Sequence, residues 1–300
     1  MRIVLVVHLT DEEYSQITEC DYVNGYNKYE LVKEVLDLEG IIRKQLDQEL
    51  EILYNKKIAD GVYEMGLRGD TSLISAPGQF INIKVPGFYL RRPISICEYD
   101  INEHNGLVII YKIVGNGTDY LSRMQVGDTL QCLIGLGNGF DVEATGDHVL
   151  LVGGGVGTPP MYGLARELLL KRKRVSIVLG FASERDAFYI DKFKELGKEC
   201  RGADIEVRVA TVDGSLGTKG FVTDCLKDLG DISDYCACGP IPMLKALYSY
   251  YDGKIPGQLS FEERMGCGFG ACVGCSIKTN SGFKKVCKDG PVFWSRDVIF

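Results

Sequence analysis

The sequence predicts an all-β unit followed by an α/β unit, closed by a short thiol-rich segment. Three observations carry this. Over residues 51–148 short apolar runs (79–85, 107–114, 129–133) are cut by Gly, Pro, Asn and Asp, the pattern of a small antiparallel barrel. From residue 149 continuous apolar strands alternate with helical runs, as in a doubly wound parallel sheet. Near the C-terminus stand Cys267, Cys272, Cys275 and Cys287, spaced C-x4-C-x2-C with eleven residues before the fourth cysteine. A chain of 300 residues accommodates two ordinary domains and a small third. The expected boundaries are an N-terminal extension over 1–50, a barrel over 51–148, an α/β domain over 149–251 and the thiol segment over 252–300.

The N-terminal extension carries the least information. Residues 2–9 read as a strand. Leu31, Val35, Leu38, Ile42, Leu46, Leu50 and Leu53 recur every three or four residues, the spacing of one helix face over 29–53. This segment reads as an appendage, packed on its own chain or partly disordered, in preference to a docking helix for a partner.

Two phosphate-type motifs lie in the barrel. In Arg92-Pro93-Ile94-Ser95, a bend at Pro93 would let Arg92 and Ser95 converge, which a regular strand would not allow. Arginine and serine suit an anion through charge-assisted and neutral hydrogen bonds. Next, Ile110-Tyr111-Lys112 leads to Gly115-Asn116-Gly117-Thr118, where a short helix over 119–124 is expected with Thr118 as its cap. The pair suggests a nucleotide cofactor.

In the α/β unit, the strand over 149–152 runs into Gly153-Gly154-Gly155-Val156-Gly157-Thr158-Pro159-Pro160 and then a helix over 161–170. A buried strand, a glycine-rich turn and a helix start form the pyrophosphate-binding arrangement of doubly wound folds. Proline is tolerated in the first helical turn. Strands over 174–179, 205–210 and 234–237 and helices over 188–198, 221–229 and 243–250 complete the alternation. Ligands then belong at the C-terminal strand ends, near residues 153–158, 211–214 and 238–240.

The thiol spacing is that of a plant-type 2Fe–2S cluster. Gly268, Gly270 and Gly274 suit a tight loop, since glycine adopts left-handed dihedrals and permits close backbone approach. A four-cysteine structural zinc site usually shows two separated short-spaced pairs, and three plus one is a different pattern. The remaining cysteines, Cys20, Cys97, Cys132, Cys200, Cys225 and Cys236, read as small buried hydrophobes. Eleven cysteines without a secretion signal point to a reducing cytoplasm. A net charge of −7 argues against nucleic-acid and anionic-membrane surfaces. His8, His104 and His148 form no cluster in the sequence.

In this order, RRPIS, GNGT, GGGVGTPP and CGP resemble the ferredoxin–NADP reductase superfamily, in which a β-barrel holds FAD and an α/β domain holds a nicotinamide dinucleotide. The C-terminal run ERMGCGFGACVGC…KKVCKDGPVF narrows the resemblance to electron-transfer subunits of the dihydroorotate dehydrogenase B type. It covers residues 51–300. It implies FAD on Arg92, Pro93, Ile94, Ser95, Ile110, Tyr111, Lys112, Gly117 and Thr118. It implies NAD pyrophosphate on Gly153, Gly154, Gly155, Gly157, Thr158 and Pro159, and Cys238 beside the nicotinamide–flavin stack. The four cysteines would ligate the cluster. The implied partner is an FMN-containing dihydroorotate dehydrogenase catalytic subunit, two of each chain forming a heterotetramer in pyrimidine biosynthesis.

Two other readings stand beside it. One is the FAD/2Fe–2S subunit of an NADH-dependent ferredoxin:NADP or sulfide-type oxidoreductase, which by resemblance often carries Asp at the position of Cys267. The other is a non-catalytic redox-sensing module. Between NAD and NADP, Ser183 and Arg185 leave the sequence undecided.

Overall fold

The computed structural model describes residues 47–99, 105–200 and 205–300, together with the backbone of a hairpin formed by β1 (Tyr22–Val23) and β2 (Tyr26–Asn27). The chain divides into two units, Met1–Leu46 and Asp47–Phe300, and the site lies in the second. The strand expected over 2–9, and the helix expected over 29–53 as far as residue 46, lie outside the described residues. The last residues of that expected helix form a strand instead. β3 (Asp47–Ala59) pairs with its neighbour from Asp47 opposite Leu133 to Glu51 opposite Thr129. Leu50 and Ile52, two apart, are fully buried, whereas Leu53 is 41% exposed. Period two wins over period three because the sheet supplies backbone partners that a lone helix end would lack. The barrel therefore starts at Asp47, four residues earlier than expected.

The barrel is closed by β3, β4 (Val62–Arg68), β5 (Phe80–Ile83), β6 (Arg92–Tyr99), β7 (Gly106–Lys112) and β8 (Thr129–Leu136), in the order β3-β4-β7-β6-β5-β8. Each neighbouring pair is antiparallel. Closure removes the free edges of a six-stranded sheet. Leu50, Ile52, Met65, Leu67, Ile81 and Ile109 fill its interior. The helix α1 (Asn116–Ser122) lies between β7 and β8.

The second half is a seven-stranded sheet. β9 (His148–Gly154), β10 (Arg174–Phe181), β11 (Ile205–Thr211), β12 (Thr218–Lys219), β13 (Asp234–Cys238) and β14 (Gly257–Ser260) are parallel, and β17 (Val292–Trp294) joins antiparallel at one edge. The order is β12-β11-β10-β9-β13-β14-β17. The chain leaves β9 in one direction and returns to its other side at β13, which makes the gap between β9 and β13 the switch point of the sheet. Every residue of β9 is buried, as expected of a central strand covered on both faces. The helices α2 (Thr158–Leu170), α3 (Ile190–Glu199) and α4 (Ile241–Tyr251) cross over between strands.

The helix expected over 221–229 is replaced by a single 3-10 turn at Val222–Cys225. Its apolar spacing is real, since Val222, Cys225, Leu226 and Leu229 are buried. The carbonyls that a continuing helix would use are taken by Arg208, whose guanidinium donates to Cys225 (2.9 Å), to Lys227 and to Asp228 (3.1 Å).

The thiol segment is an excursion from this same sheet, not a body apart. It leaves through β14, forms a loop and the hairpin of β15 (Ser276–Thr279) and β16 (Gly282–Lys285), and returns as β17. Of the cysteines expected to be buried, Cys97, Cys132, Cys225 and Cys236 are, Cys200 is half-buried, and Cys20 lies outside the described residues. His148 is a structural residue, its ring bonded to Ser176 Oγ (2.9 Å) and to the Asp231 carbonyl (3.0 Å). No helix among the described residues is long and apolar enough to cross a membrane.

Candidate functional site

A cleft of ≈ 630 Å³ opens at the C-terminal ends of β9, β10, β11 and β13. Gly154, Gly155, Phe181, Val212, Gly239 and Pro240 line it, as do Lys112 from the barrel and Asp186, Phe188 and Glu262. The two loops at the switch point touch closely. A Cβ on Gly157 would stand 2.2 Å from the Cys238 carbonyl oxygen, so only glycine lets them meet. Gly154 and Gly155 thus present backbone to the cleft, which is what a pyrophosphate needs. Gly153, Thr158 and Pro159 are buried behind that surface and support it. Cys238 is 1% exposed, and burial pushes its thiol pKa up. Its neighbours Gly239 and Pro240, not its sulfur, face the cleft.

A second recess of ≈ 650 Å³ is lined by residues 88–93 of the barrel and 262–265. Arg92 and Pro93 belong to it. No bend occurs at Pro93: the ladder runs from Ile83 opposite Arg92 to Phe80 opposite Ser95. The partner brought to Arg92 is instead Gly117, whose missing side chain leaves room for the guanidinium; a Cβ there would lie 2.3 Å from Arg92 Nε. The two barrel motifs therefore meet through Arg92 and Gly117. Thr118 is not the cap of α1. It sits one turn in, and its Oγ1 accepts from the Val114 and Gly115 N–H groups (3.0 and 3.3 Å). Ile94 and Ser95 are half-buried on β6. Ile110 and Tyr111 are buried, and the Tyr111 hydroxyl donates to Asn55 (2.9 Å). Lys112 faces the dinucleotide cleft and pairs with Asp186 (3.1 Å).

The four thiols gather two and two. The Cys272 N–H donates to Cys267 Sγ (3.4 Å), and the Cys287 N–H to Cys275 Sγ (3.5 Å). Four cysteines on one loop and hairpin offer thiolate ligands in the number an iron–sulfur cluster takes. Burial raises the Cys267 thiol, but backbone N–H groups of Cys272, Phe269 and Gly270 outweigh it and bring it down to about 7. Cys287 is pushed up to about 12 by burial and the neighbouring thiols. Gly268 and Gly270 take the expected positive φ (81° and 94°); Gly274 does not. The loop is docked on the barrel: Asn82 Nδ2 on β5 donates to the Cys267 carbonyl (3.3 Å), and Asn138 donates to those of Asp289 and Gly290 (3.0 and 2.6 Å).

Sequence reasoning missed Asn82, Asp186 and Glu262. Glu262 lines both clefts and precedes the first thiol by five residues. Only the strand that delivers it between the clefts gives it away. The donor set fits the groups that the motifs imply: glycine backbone at a sheet switch point for a dinucleotide, a guanidinium in a barrel recess for a flavin phosphate, and four paired thiols for an iron–sulfur cluster.

A closed antiparallel barrel joined to a doubly wound sheet with this crevice defines an oxidoreductase of the ferredoxin reductase type. Residues 151–248 match the family described as oxidoreductase NAD-binding domain, and residues 262–299 match the iron–sulfur cluster binding domain of dihydroorotate dehydrogenase B. A protein of Geobacillus sp. (strain WCH70), named dihydroorotate dehydrogenase B (NAD(+)), electron transfer subunit, is 44% identical over 84% of this chain and 98% of its own. One of the same name from Listeria monocytogenes is 42% identical over 84% and 99%. The solved structure of an NADH-dependent reduced ferredoxin-NADP oxidoreductase superposes with a TM-score of 0.73 at 30% identity, covering 83% of this chain and 89% of that one. A flavohemoglobin of Malassezia yamatoensis, at 18% identity and a TM-score of 0.59 over 75% and 62%, shares the fold. The chain belongs to the family of dihydroorotate dehydrogenase B electron transfer subunits.

Proposed function

We propose that this chain carries electrons from a dihydroorotate-oxidising partner to NAD+. The partner is an FMN-containing catalytic subunit, two of each chain assembling as a heterotetramer in the cytoplasm. One observation carries the reading: a single compact unit brings the thiol loop, the Arg92 recess and the dinucleotide cleft together, with Glu262 on the border of both clefts.

When bound, a flavin accepts electrons singly or in pairs and so links a one-electron iron–sulfur cluster to a two-electron nicotinamide. The chain's own residues supply position. Gly154 and Gly155 offer backbone N–H groups to the pyrophosphate of NAD, Arg92 offers its charge to FAD, and Cys267, Cys272, Cys275 and Cys287 hold the 2Fe–2S cluster. No side chain in either cleft is required as a general base. The ferredoxin:NADP reading has less support, since the solved ferredoxin-NADP oxidoreductase is 30% identical to this chain and proteins with the dihydroorotate name reach 44%.

The test is an absorption spectrum of anaerobically purified chain before and after NADH. A flavin band with 2Fe–2S absorbance, both bleached by NADH, is expected. A colourless chain after reconstitution with iron, sulfide and FAD would overturn the reading. A redox sensor would load both cofactors and show no NADH–dye reductase activity.

A further inference from the structure

One wall of the dinucleotide cleft is held from the barrel. The segment between β10 and α3 supplies Asp186 and Phe188 to the cleft. Three residues of the barrel grip it. The Asp60 N–H donates to the Arg185 carbonyl (3.0 Å), Lys112 pairs with Asp186 (3.1 Å), and Glu64 on β4 pairs with Lys192 (3.3 Å).

Glu64 is the centre of this grip. Its side chain is 3% exposed. Oε1 faces Lys56 Nζ at 3.0 Å and Oε2 faces Lys192 Nζ at 3.3 Å. Lys192 Nζ links this carboxylate to the Tyr189 hydroxyl, to which it also donates (3.1 Å). Burial alone would raise its pKa, but Lys56, Lys192 and Tyr189 outweigh it and the net shift is downward, so the group is ionised at neutral pH.

Tyr189 has φ of +67°, an unfavoured conformation for a bulky L residue. No side chain caps the start of α3 there. What holds Tyr189 is lateral. Lys192 Nζ donates to its hydroxyl (3.1 Å) and stands 4.3 Å from its ring centroid, while Tyr162 packs edge-on at 5.1 Å. Its ring also meets that of Phe188, the cleft-lining residue, at 6.1 Å. A buried charge adds little net stability over an apolar residue of equal volume. Its consequence here is geometric.

We infer that Glu64 is a positioning residue for dinucleotide binding: from the barrel it holds Tyr189 in its left-handed turn, and that turn sets Phe188 and Asp186 as the wall on which the dinucleotide lies. The inference rests on the reading of the cleft as an NAD site. It assigns to the barrel a part in nicotinamide binding separate from its part in flavin binding.

The experiment uses the full chain loaded with FAD and iron, assayed as an NADH–dye reductase at varied NADH. Glu64→Gln and Tyr189→Phe are each expected to raise KM for NADH by roughly tenfold, the scale of one lost charge-assisted hydrogen bond. FAD content, iron content and kcat stay unchanged. The double variant is expected to be no worse than the poorer single one, since both break one network. Lys194→Ala, in an exposed pair with Asp191, is the control with no change. Unchanged KM in both single variants, or FAD lost in step with NADH affinity, would overturn the inference. If Glu64→Gln does not fold, Tyr189→Phe, which keeps the ring and removes only the hydroxyl, decides alone. A loaded wild-type chain that NADH fails to reduce would overturn the NAD reading itself, an outcome distinct from normal wild-type reduction with unaltered variants.

Discussion

The dinucleotide crevice and the thiol loop share one compact unit and are built by opposite means. The crevice is made of backbone. Its floor, Gly154, Gly155 and Gly239, follows strands whose register is set by fully buried residues such as Val149, Leu151, Ile177 and Cys236. Its shape is set by sheet packing, which already meets the ordering entropy of those loops. The loop over 265–275 is made of side chains. It contains no strand or helix, and Val273 in its middle is 74% exposed. Two N–H···S contacts, the Asn82 bond, and donors from Lys285, Ser276 and Val286 to its carbonyls hold it, and an inorganic core would add to these, as metal binding commonly supplies folding energy. A site made from backbone inherits the stability of its sheet; a site made from side chains depends on what it binds.

That contrast breaks most visibly at the thiols. Cys275→Ser is expected to abolish the cluster, with iron content near zero, while FAD content and NADH–dye reductase activity stay within about twofold, because the crevice is a separate construction. Iron analysis and flavin absorbance check this; loss of both cofactors together would show the two regions to be one. The next effect in size is Gly157→Ala. Its new methyl meets the Cys238 carbonyl and the Gly239 nitrogen, backbone atoms that cannot turn aside. Overpacking of this kind costs about 1–3 kcal/mol, so a lower Tm and weaker NADH binding are expected with iron retained. The smallest is Gly117→Ala. Here the obstacle is the Arg92 guanidinium, which can swing away. FAD affinity, followed by flavin fluorescence, is expected to fall by about five- to tenfold, the worth of one displaced hydrogen bond. An unaltered FAD affinity would remove Arg92 from the flavin site.

Much of the site was legible in the residues. The Cys267, Cys272, Cys275 and Cys287 spacing and the glycines after β9 are local, because a loop around a cluster and a turn around a pyrophosphate are each written in adjacent positions. Where the reading went astray, distant partners had intervened. Leu53 looked helical until β8 paired with β3 and drew Leu50 and Ile52 inward. Residues 221–229 kept their apolar spacing but lost their helix to Arg208, some twenty positions upstream.

By itself, then, the sequence determined the order of barrel, doubly wound sheet and thiol loop, and the residue types each needs, since periodicity and short spacings are properties of neighbours along the chain. The tertiary structure alone decided that Arg92 meets Gly117, that the thiol loop docks on Asn82, that Glu262 borders both clefts and that Glu64 reaches Tyr189 through Lys192. Arg92 and Gly117, Asn82 and Cys267, and Glu64 and Lys192 lie 25 to 185 positions apart. Their contacts exist only once strand order and register are set, and it is the packing of the whole core that sets them.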